Sequence, residues 1–273
     1  MNALLTYWTT IPWMLILVIL LGLWGVGNLL TGPLQHLFIF RPSRLPMDHV
    51  YQHPLPGIEY WIDSPHGGQL NALWFPFTGK AKGTVLFFHG NASTLDKWGK
   101  TYELIHEASY HLLVYDYRGY GKSTGRRTEE RLYQDAETVY DWLGQREAAE
   151  RIVLYGRSMG STFACRVAAR RSCRLLILET PFSSMRDLFY SYYPFLPPVF
   201  RFTYRFPSRK YLEEVTAPVV IFQGTSDFIV PYRNARKLIG ALKSGDRFVK
   251  IKGGGHRDLS SFERFQNMLR NVL

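Results

Sequence analysis

The chain begins with a long apolar segment. Residues 1–40 carry no charged side chain, and the sequence from Ile11 to Leu30 is almost entirely apolar. About 20 apolar residues in a helix, at about 1.5 Å each, span the roughly 30 Å hydrocarbon core of a bilayer. The pattern predicts a membrane anchor over residues 1–40, with a transmembrane helix over about residues 11–30.

A cleaved signal peptide is the alternative interpretation of this segment. No basic residue precedes the apolar run, and the run is longer than the apolar core of about 7–15 residues that signal peptides use. Gly25-Val26-Gly27 resembles a cleavage site faintly, so cleavage stays open. We expect an uncleaved single-pass anchor. Because Arg41 and Arg44 follow the run, the rest of the chain is predicted to lie on the cytoplasmic side.

Residues 41–273 alternate short apolar runs with longer amphipathic stretches. Short apolar runs between helical patterns are typical of parallel strands that are covered on both faces. The predicted strands are Ile58–Asp63, Leu70–Phe75, Thr84–Phe88, Leu112–Tyr115, Ile152–Tyr155, Leu175–Leu178, Val219–Phe222 and Arg247–Ile251. The predicted helices cover residues 94–109, 129–145, 159–171 and 232–242, with a last one from about 259. We expect one α/β domain with a doubly wound, mostly parallel sheet after an initial hairpin.

Composition and charge limit the possible partners. The chain has 273 residues, 46% of them apolar, and can therefore bury a sizeable core. A formal charge of +11 suits nucleic acid or anionic lipid. Lys and Arg are spread along the chain without forming a nucleic-acid-binding module, so we expect membrane lipid and no nucleic acid. Cys165 and Cys173 lack metal-ligand spacing, and we expect no metal and no cofactor.

Gly156-Arg157-Ser158-Met159-Gly160 matches the pattern G-x-S-x-G between a predicted strand and a predicted helix. A serine in this position occupies a sharp strand-to-helix turn, and the glycines let neighbouring backbone approach it. The N-terminus of the helix favours negative charge that develops at the hydroxyl. Ser158 is therefore the predicted nucleophile.

A serine nucleophile needs a base, and the base needs an acid that orients it. In this arrangement the acid and then the histidine follow the serine along the chain. Asp227 lies after the strand Val219–Phe222, and His256 follows three glycines after the last strand. A helix cap for Asp227 and an exposed loop position for His256 are the alternatives, and Glu179 is a substitute acid. Their order favours a catalytic triad of Ser158, Asp227 and His256.

Acyl transfer also requires N–H groups that stabilise an oxyanion. The backbone N–H of Met159 is one expected donor, because it follows the nucleophile. The second is expected in the loop after the strand that ends at Phe88, where His89-Gly90-Asn91 occurs. Asn91 is the candidate, and His89 is expected to shape the loop.

These motifs together resemble the membrane-anchored α/β-hydrolases of the Bem-type. Members share an N-terminal anchor, an H-G-N loop, a D-Y-R-G-[YF]-G-x-S turn (residues 116–123 here) and a G-x-S-x-G elbow. The likeness runs from about residue 55 to the C-terminus. The resemblance implies an α/β-hydrolase fold and the triad of Ser158, Asp227 and His256. It also implies activity on acyl esters or thioesters, since related animal members remove long acyl chains from proteins.

Residues 181–211, here called the aromatic insertion, lie where this fold places a lid. Ten aromatic residues occur between Phe182 and Phe206, with Arg186, Arg201 and Arg205 among them. A short packed cap that excludes water is one interpretation. An acyl-binding cover that faces the bilayer, with arginines near lipid phosphates, is the other.

The sequence thus predicts a serine hydrolase that cleaves carboxylic ester or thioester bonds of acyl, lipid-like substrates at a membrane. Residues 41–273 would form the catalytic domain, and the reaction would pass through an acyl-enzyme at Ser158. A serine peptidase and a non-catalytic hydrolase-like membrane scaffold are the alternatives. The ordered Ser-Asp-His set argues against a scaffold, which would have no use for it.

Overall fold

The computed structural model describes residues 2–55 and 57–273, and residues 2–12 by their backbone alone. The strands are β1 (Ile58–Asp63), β2 (Gln69–Phe75), β3 (Thr84–Phe88), β4 (His111–Tyr115), β5 (Ile152–Arg157), β6 (Leu175–Glu179), β7 (Val219–Gly224) and β8 (Arg247–Ile251). They form one sheet in the order β1-β2-β4-β3-β5-β6-β7-β8. The β1–β2 and β2–β4 pairs are antiparallel, and every pair from β4 to β8 is parallel. The predicted mostly parallel sheet is confirmed.

Helices cover both faces of this sheet. They are α1 (Asn2–Thr31), α2 (Gln35–Ile39), α3 (Leu95–Trp98), α4 (Tyr102–Glu107), α5 (Glu129–Gly144), α6 (Gly160–Ala168), α7 (Met185–Tyr192), α8 (Ser208–Leu212), α9 (Tyr232–Ala235) and α10 (Glu263–Val272). Two predicted helices are less regular than expected. The stretch 94–109 is split by a 3₁₀ turn at Gly99, a poor helix former, and the stretch 232–242 continues after α9 as 3₁₀ helix over Arg236–Ala241.

The core consists of two apolar layers, one on each face of the sheet. Strand β3 is buried throughout, with Leu86 and Phe88 in the layer that contains α5 and α6. Val85 and Phe87 point the opposite way, into the layer that contains α3, α4 and α10. This alternation follows from the two-residue period of a strand. Because β3 and β5 are packed between these apolar layers, their carboxyl ends hold the loops that follow them in place.

The N-terminal helix is long and apolar enough to cross a bilayer. Trp13–Thr31, a 19-residue stretch of α1, has a mean hydropathy of 2.2, and only 6% of it is buried against the rest of the protein. A core helix of a soluble domain would instead be mostly covered. The helix begins at Asn2, before the predicted span of 11–30. Its exposed apolar surface is consistent with a transmembrane helix, and the anchor stays a prediction.

Candidate active site

Ser158 lies in the tight turn between β5 and α6. Its φ of +52° is in the left-handed region, which is strained for a residue with a side chain. A Cβ at Gly160 would lie 2.0 Å from the carbonyl oxygen of Phe88, and one at Gly156 would lie 2.6 Å from that of Gly160. The two glycines therefore allow α6 to pack directly on the sheet. This contact holds the turn and leaves the Ser158 hydroxyl at the carboxyl edge.

The three residues predicted as a triad are brought together at this edge. The Nε2 atom of His256 lies 2.9 Å from Oγ of Ser158, and its Nδ1 atom lies 2.8 Å from Oδ2 of Asp227. An ionised carboxylate can only accept a hydrogen bond, so Nδ1 carries the imidazole proton. Nε2 is then free to accept the proton of the serine hydroxyl.

The Asp227 carboxylate is fully buried and is held from several directions. Its Oδ1 atom accepts the backbone N–H groups of Ile229 at 2.8 Å and Val230 at 2.7 Å. Its Oδ2 atom also accepts a hydrogen bond of 3.1 Å from Nε2 of Gln223. Asp227 thus orders the chain just before α9, which is close to the capping role considered as an alternative, and contacts His256 as well.

Gln223 was not predicted as a site residue. It belongs to the buried strand Val219–Gly224, where every other side chain is apolar or absent. Its amide also donates to the carbonyl of Val230 at 3.0 Å, so it ties the strand end to the loop that carries Asp227. A polar residue in a buried strand next to a candidate acid is the signal that could have identified it.

The His256 loop folds back against the end of β7. The carbonyl of Gly254 accepts the N–H of Ser226 at 2.9 Å, and the N–H of Gly253 donates to Oγ1 of Thr225 at 2.9 Å. A Cβ at Gly224 would lie 2.1 Å from the carbonyl oxygen of Gly254. Glycine at these positions permits the close approach that brings the imidazole over Ser158.

Glu179, the substitute acid, has other partners. Its Oε2 atom accepts the Tyr155 hydroxyl at 2.7 Å, and its Oε1 atom lies 3.2 Å from Nε of Arg157. Burial, and then the neighbouring Glu179 charge, raise the pKa of Tyr155 well above its usual value, so the phenol stays protonated. The main chain of Glu179 also accepts the N–H of Ser158 at 2.8 Å. Glu179 therefore stabilises the turn that carries Ser158.

Arg157 connects Glu179 to the histidine loop. Besides its ion pair, it donates through Nη2 to the carbonyl of His256 at 3.4 Å. It also lies over the Trp98 ring, 5.7 Å from the centroid. Sequence reasoning did not single out Arg157 or Trp98. The only signal was that Arg157 occupies the first unspecified position of the G-x-S-x-G pattern, directly before the serine.

The two expected oxyanion donors border the same space. Met159 follows Ser158 directly, and within residues 2–55 and 57–273 its N–H and that of Asn91 are donated to no protein acceptor. The Asn91 side chain is engaged elsewhere. Its oxygen accepts the Tyr120 hydroxyl at 2.7 Å and the N–H of Arg41 at 3.1 Å, and its nitrogen donates to the carbonyl of Ile39. Asn91 is thus fixed by its side chain, with its backbone N–H left unpaired.

The turn at residues 116–123 supports this loop. Tyr117 donates through its hydroxyl to the carbonyl of His89 at 2.6 Å. The turn itself is held by Arg118, whose fully buried guanidinium forms a bidentate pair with Asp135 on α5, at 2.6 and 2.5 Å. Bidentate pairs of this kind fix orientation strongly. The conspicuous D-Y-R-G segment therefore has a structural role behind the loop of Asn91.

Comparison with known proteins identifies the family. The sequence profile described as "Serine aminopeptidase, S33" matches residues 79–212. The chain is 30% identical over 216 residues to Alpha/beta hydrolase domain-containing protein 17B of Homo sapiens, covering 76% of this chain and 72% of that protein. The chain belongs to the α/β-hydrolase family.

A second relative and a solved structure of similar fold can be compared with the chain. The chain is 28% identical over 222 residues to the Lysophosphatidylserine lipase ABHD12 of Macaca fascicularis, covering 73% of this chain and 54% of that protein. The solved structure of the Pyrococcus furiosus esterase Pf2001 superposes with a TM-score of 0.66 at 17% identity, covering 86% of this chain and 98% of the esterase. The predicted α/β-hydrolase fold is confirmed.

In this α/β-hydrolase a cavity of about 1070 Å³ opens above Ser158 and His256. Several parts of the chain line it, among them the end of α1 with α2, the loop of Asn91, the aromatic insertion and the loops that carry Asp227 and His256. The apolar and aromatic lining residues are Leu30, Phe38, Ile39, Ala92, Trp98, Met159, Phe182, Met185, Leu188, Phe189, Tyr192, Tyr193, Phe202, Ile229 and Val230. Such a space suits a large and mostly apolar ligand.

Four cationic side chains line the same cavity: Arg41, Lys97, Arg157 and Arg257. Arg157 is paired with Glu179. The other three are exposed, and none forms an ion pair with another described residue. Their positive charges are therefore available to an anionic group that binds at the cavity.

In the part of the chain that the structure describes, no group of three His, Cys, Asp or Glu side chains is arranged to hold a metal ion. Burial raises the pKa of the Cys165 thiol and that of Cys173, the latter to about 12. Neither cysteine is therefore a thiolate nucleophile at neutral pH.

Proposed function

We propose that this chain is a serine hydrolase that cleaves carboxylic ester or thioester bonds of acyl, lipid-like substrates at a membrane. The observation that carries the proposal is the hydrogen-bond series from Asp227 through His256 to Ser158. It supplies a base within reach of the hydroxyl and an acid that fixes the tautomer of the base.

The proposed reaction has two half-reactions. Ser158 Oγ attacks the acyl carbon while His256 Nε2 takes its proton, and Asp227 stabilises the imidazolium that forms. The carbonyl oxygen becomes an oxyanion, which accepts hydrogen bonds from the backbone N–H groups of Met159 and Asn91. The C–O or C–S bond then breaks, and the leaving alcohol or thiol takes the proton from His256. Water then attacks the acyl-enzyme while His256 takes its proton. The fatty acid is released, and His256 returns the proton to Oγ of Ser158.

The membrane part of the proposal concerns residues 1–40. We propose that they form an uncleaved single-pass anchor and that residues 41–273 form the catalytic domain on the cytoplasmic side, with the aromatic insertion as lid. The exposed apolar helix supports the anchor, and the two arginines after it support the orientation. The Bem-type resemblance and a relative named as a lysophosphatidylserine lipase favour acyl lipids.

A peptidase is the second candidate, because the matching family profile is described as a serine aminopeptidase. The apolar lining of the cavity favours a fatty acyl group over a peptide, whose backbone needs polar partners. An aminoacyl p-nitroanilide, measured beside the esters below, decides between the two. Cleavage of the anilide but not of the esters would favour the peptidase.

We expect the enzyme to prefer long acyl chains. A palmitoyl chain can bury its methylenes against the aromatic lining, whereas an acetyl group cannot, and each buried methylene contributes about 0.8 kcal/mol. The full-length protein in detergent should therefore show a higher kcat/KM for p-nitrophenyl palmitate than for p-nitrophenyl acetate. A clear preference for acetate would end the lipid interpretation.

We also expect a preference for acyl lipids with an anionic head. The unpaired charges of Lys97 and Arg257 at the cavity should favour lysophosphatidic acid over monoacylglycerol of the same chain by about tenfold in kcat/KM. The double variant Lys97→Gln/Arg257→Gln should lose this preference through a higher KM for the anionic lipid. Lys100→Gln/Lys252→Gln changes the net charge equally outside the cavity and serves as control. Equal effects of the two double variants would point to general attraction only.

A further inference from the structure

The end of the N-terminal helix, together with α2, is hydrogen-bonded to the aromatic insertion. The buried side chain of Gln35, on α2, accepts the backbone N–H of Tyr204 at 2.7 Å and donates to its carbonyl at 3.1 Å. The side chain of Asn28, near the end of α1, accepts the N–H of Arg201 at 3.0 Å. The carbonyl of Thr31 accepts the N–H of Thr203 at 3.3 Å.

Side-chain packing reinforces these hydrogen bonds. A Cβ at Gly27 would lie 2.2 Å from the ring of Phe200, so the ring packs against bare helix backbone at this position. The ring of Phe40, after α2, is in edge contact with Tyr204, with centroids 4.8 Å apart. The last turns of α1, together with α2, and the insertion therefore form one packed unit.

One side of this unit faces the cavity above the nucleophile. Leu30, Phe38 and Ile39 lie on the helix side, opposite Phe189 and Phe202 of the insertion. The neighbouring residues on the helices, Leu29 and Leu37, are not part of the lining. Leu30 and Phe38 are exposed as these neighbours are, so the lining residues differ from them in position and not in exposure.

We propose that the end of α1 and α2 form one wall of the acyl-binding site, so that the anchor itself takes part in substrate binding. The acyl chain lies between this wall and the aromatic insertion, with its carbonyl at Ser158. This inference rests on the proposed esterase function. It adds the path that the acyl chain takes into the site and the residues that select for acyl-chain length.

The apolar surface of α1 offers a route by which the acyl chain of a substrate would enter the cavity. Exposed apolar side chains follow α1 as far as Val26 and occur again at Leu29 and Leu30, next to the cavity. A lipid next to α1 could slide its acyl chain along the helix into the cavity without exposing it to water, which would cost free energy for every methylene. A catalytic domain on a flexible linker would offer no such path.

The test uses substitutions that differ in position by one residue. Leu30→Trp places a larger ring in the wall, and Leu29→Trp places the same ring outside it. With full-length protein in the same detergent, we expect Leu30→Trp to lower kcat/KM for p-nitrophenyl palmitate by at least about tenfold, because hydrophobic pockets discriminate by size at this scale. Activity on p-nitrophenyl acetate should change by less than about twofold, and Leu29→Trp should resemble the wild type on both esters.

A second pair of variants tests the same wall in case the tryptophan variants do not fold. Phe38→Ala removes part of the wall and should raise KM for palmitate, whereas Leu37→Ala should not. Labelling of Ser158 by a small fluorophosphonate reports whether each variant keeps a working site. The inference is overturned if each lining variant matches its control, or if palmitate and acetate hydrolysis fall equally in a variant that still labels. Wild-type protein that neither labels nor hydrolyses any ester would instead refute the proposed function.

Discussion

The Ser158→Ala variant should lose ester hydrolysis almost completely, with kcat falling by about 10⁶-fold, because without the oxygen nucleophile no acyl-enzyme can form. The expected loss is this large because the triad works as a unit, and without the hydroxyl of residue 158 His256 cannot activate a nucleophile that forms an acyl-enzyme. Covalent labelling by a fluorophosphonate, located by mass spectrometry, should disappear at the same time.

The fold should survive this substitution. The hydroxyl of Ser158 contacts His256, while the backbone of the turn is held by the carbonyl of Glu179 and by the close packing of Gly156 and Gly160. The thermal unfolding midpoint should therefore change little. Ser226→Ala, an exposed serine beside Asp227, is a matched control and should keep full activity. If Ser158→Ala protein were still labelled or active, a different nucleophile would be at work.

The sequence was most informative about the sheet. Three strands, Ile58–Asp63, Thr84–Phe88 and Arg247–Ile251, have the predicted bounds, and the other five differ by one or two residues at an end. Short runs of buried apolar residues carry this signal strongly, since both faces of the strand must be apolar. Helix regularity was harder to predict, because Gly99 interrupts a stretch whose apolar periodicity otherwise continues.

The site was predictable only where local motifs and chain order sufficed. Ser158, Asp227 and His256 each follow a strand, and parallel strands bring their carboxyl ends to one edge. Arg157 acts through a partner that is distant in sequence, the carbonyl of His256, and no local pattern encodes such a pair. Gln223 instead donates to Asp227 and Val230, which follow it closely, and a polar residue in a buried strand was the local signal for it.

The position of the N-terminal helix beside the cavity could not be predicted either. An apolar helix of this length is fully explained by a bilayer, so its sequence gives no sign that Leu30 lines a binding site. The polar residues Asn28 and Gln35 were the available signal. In a run meant only for lipid they would be unfavourable, and their hydrogen bonds to the aromatic insertion explain their presence.

The Asp227→Asn variant should lower kcat by about 10⁴-fold, which is the scale found when a triad acid becomes an amide. The backbone N–H groups of Ile229 and Val230 already donate to Oδ1, which favours the amide oxygen at that position and turns the amide nitrogen towards His256. The imidazole must then accept at Nδ1 and carry its proton on Nε2. A protonated Nε2 cannot take the proton of Ser158, so the base is lost, and the amide of Gln223 loses its acceptor at Oδ2 as well.

Glu179→Gln is the matched comparison, since it makes the same change in the substitute acid that the sequence offered. The amide can still accept the Tyr155 hydroxyl, and only the ion pair with Arg157 is lost, so kcat for p-nitrophenyl acetate should fall by no more than about tenfold. Both variants should be measured near pH 8 beside their thermal unfolding midpoints. The reverse ranking, a severe loss for Glu179→Gln and a mild one for Asp227→Asn, would make Glu179 the acid, because only the group that orients His256 controls the proton transfer.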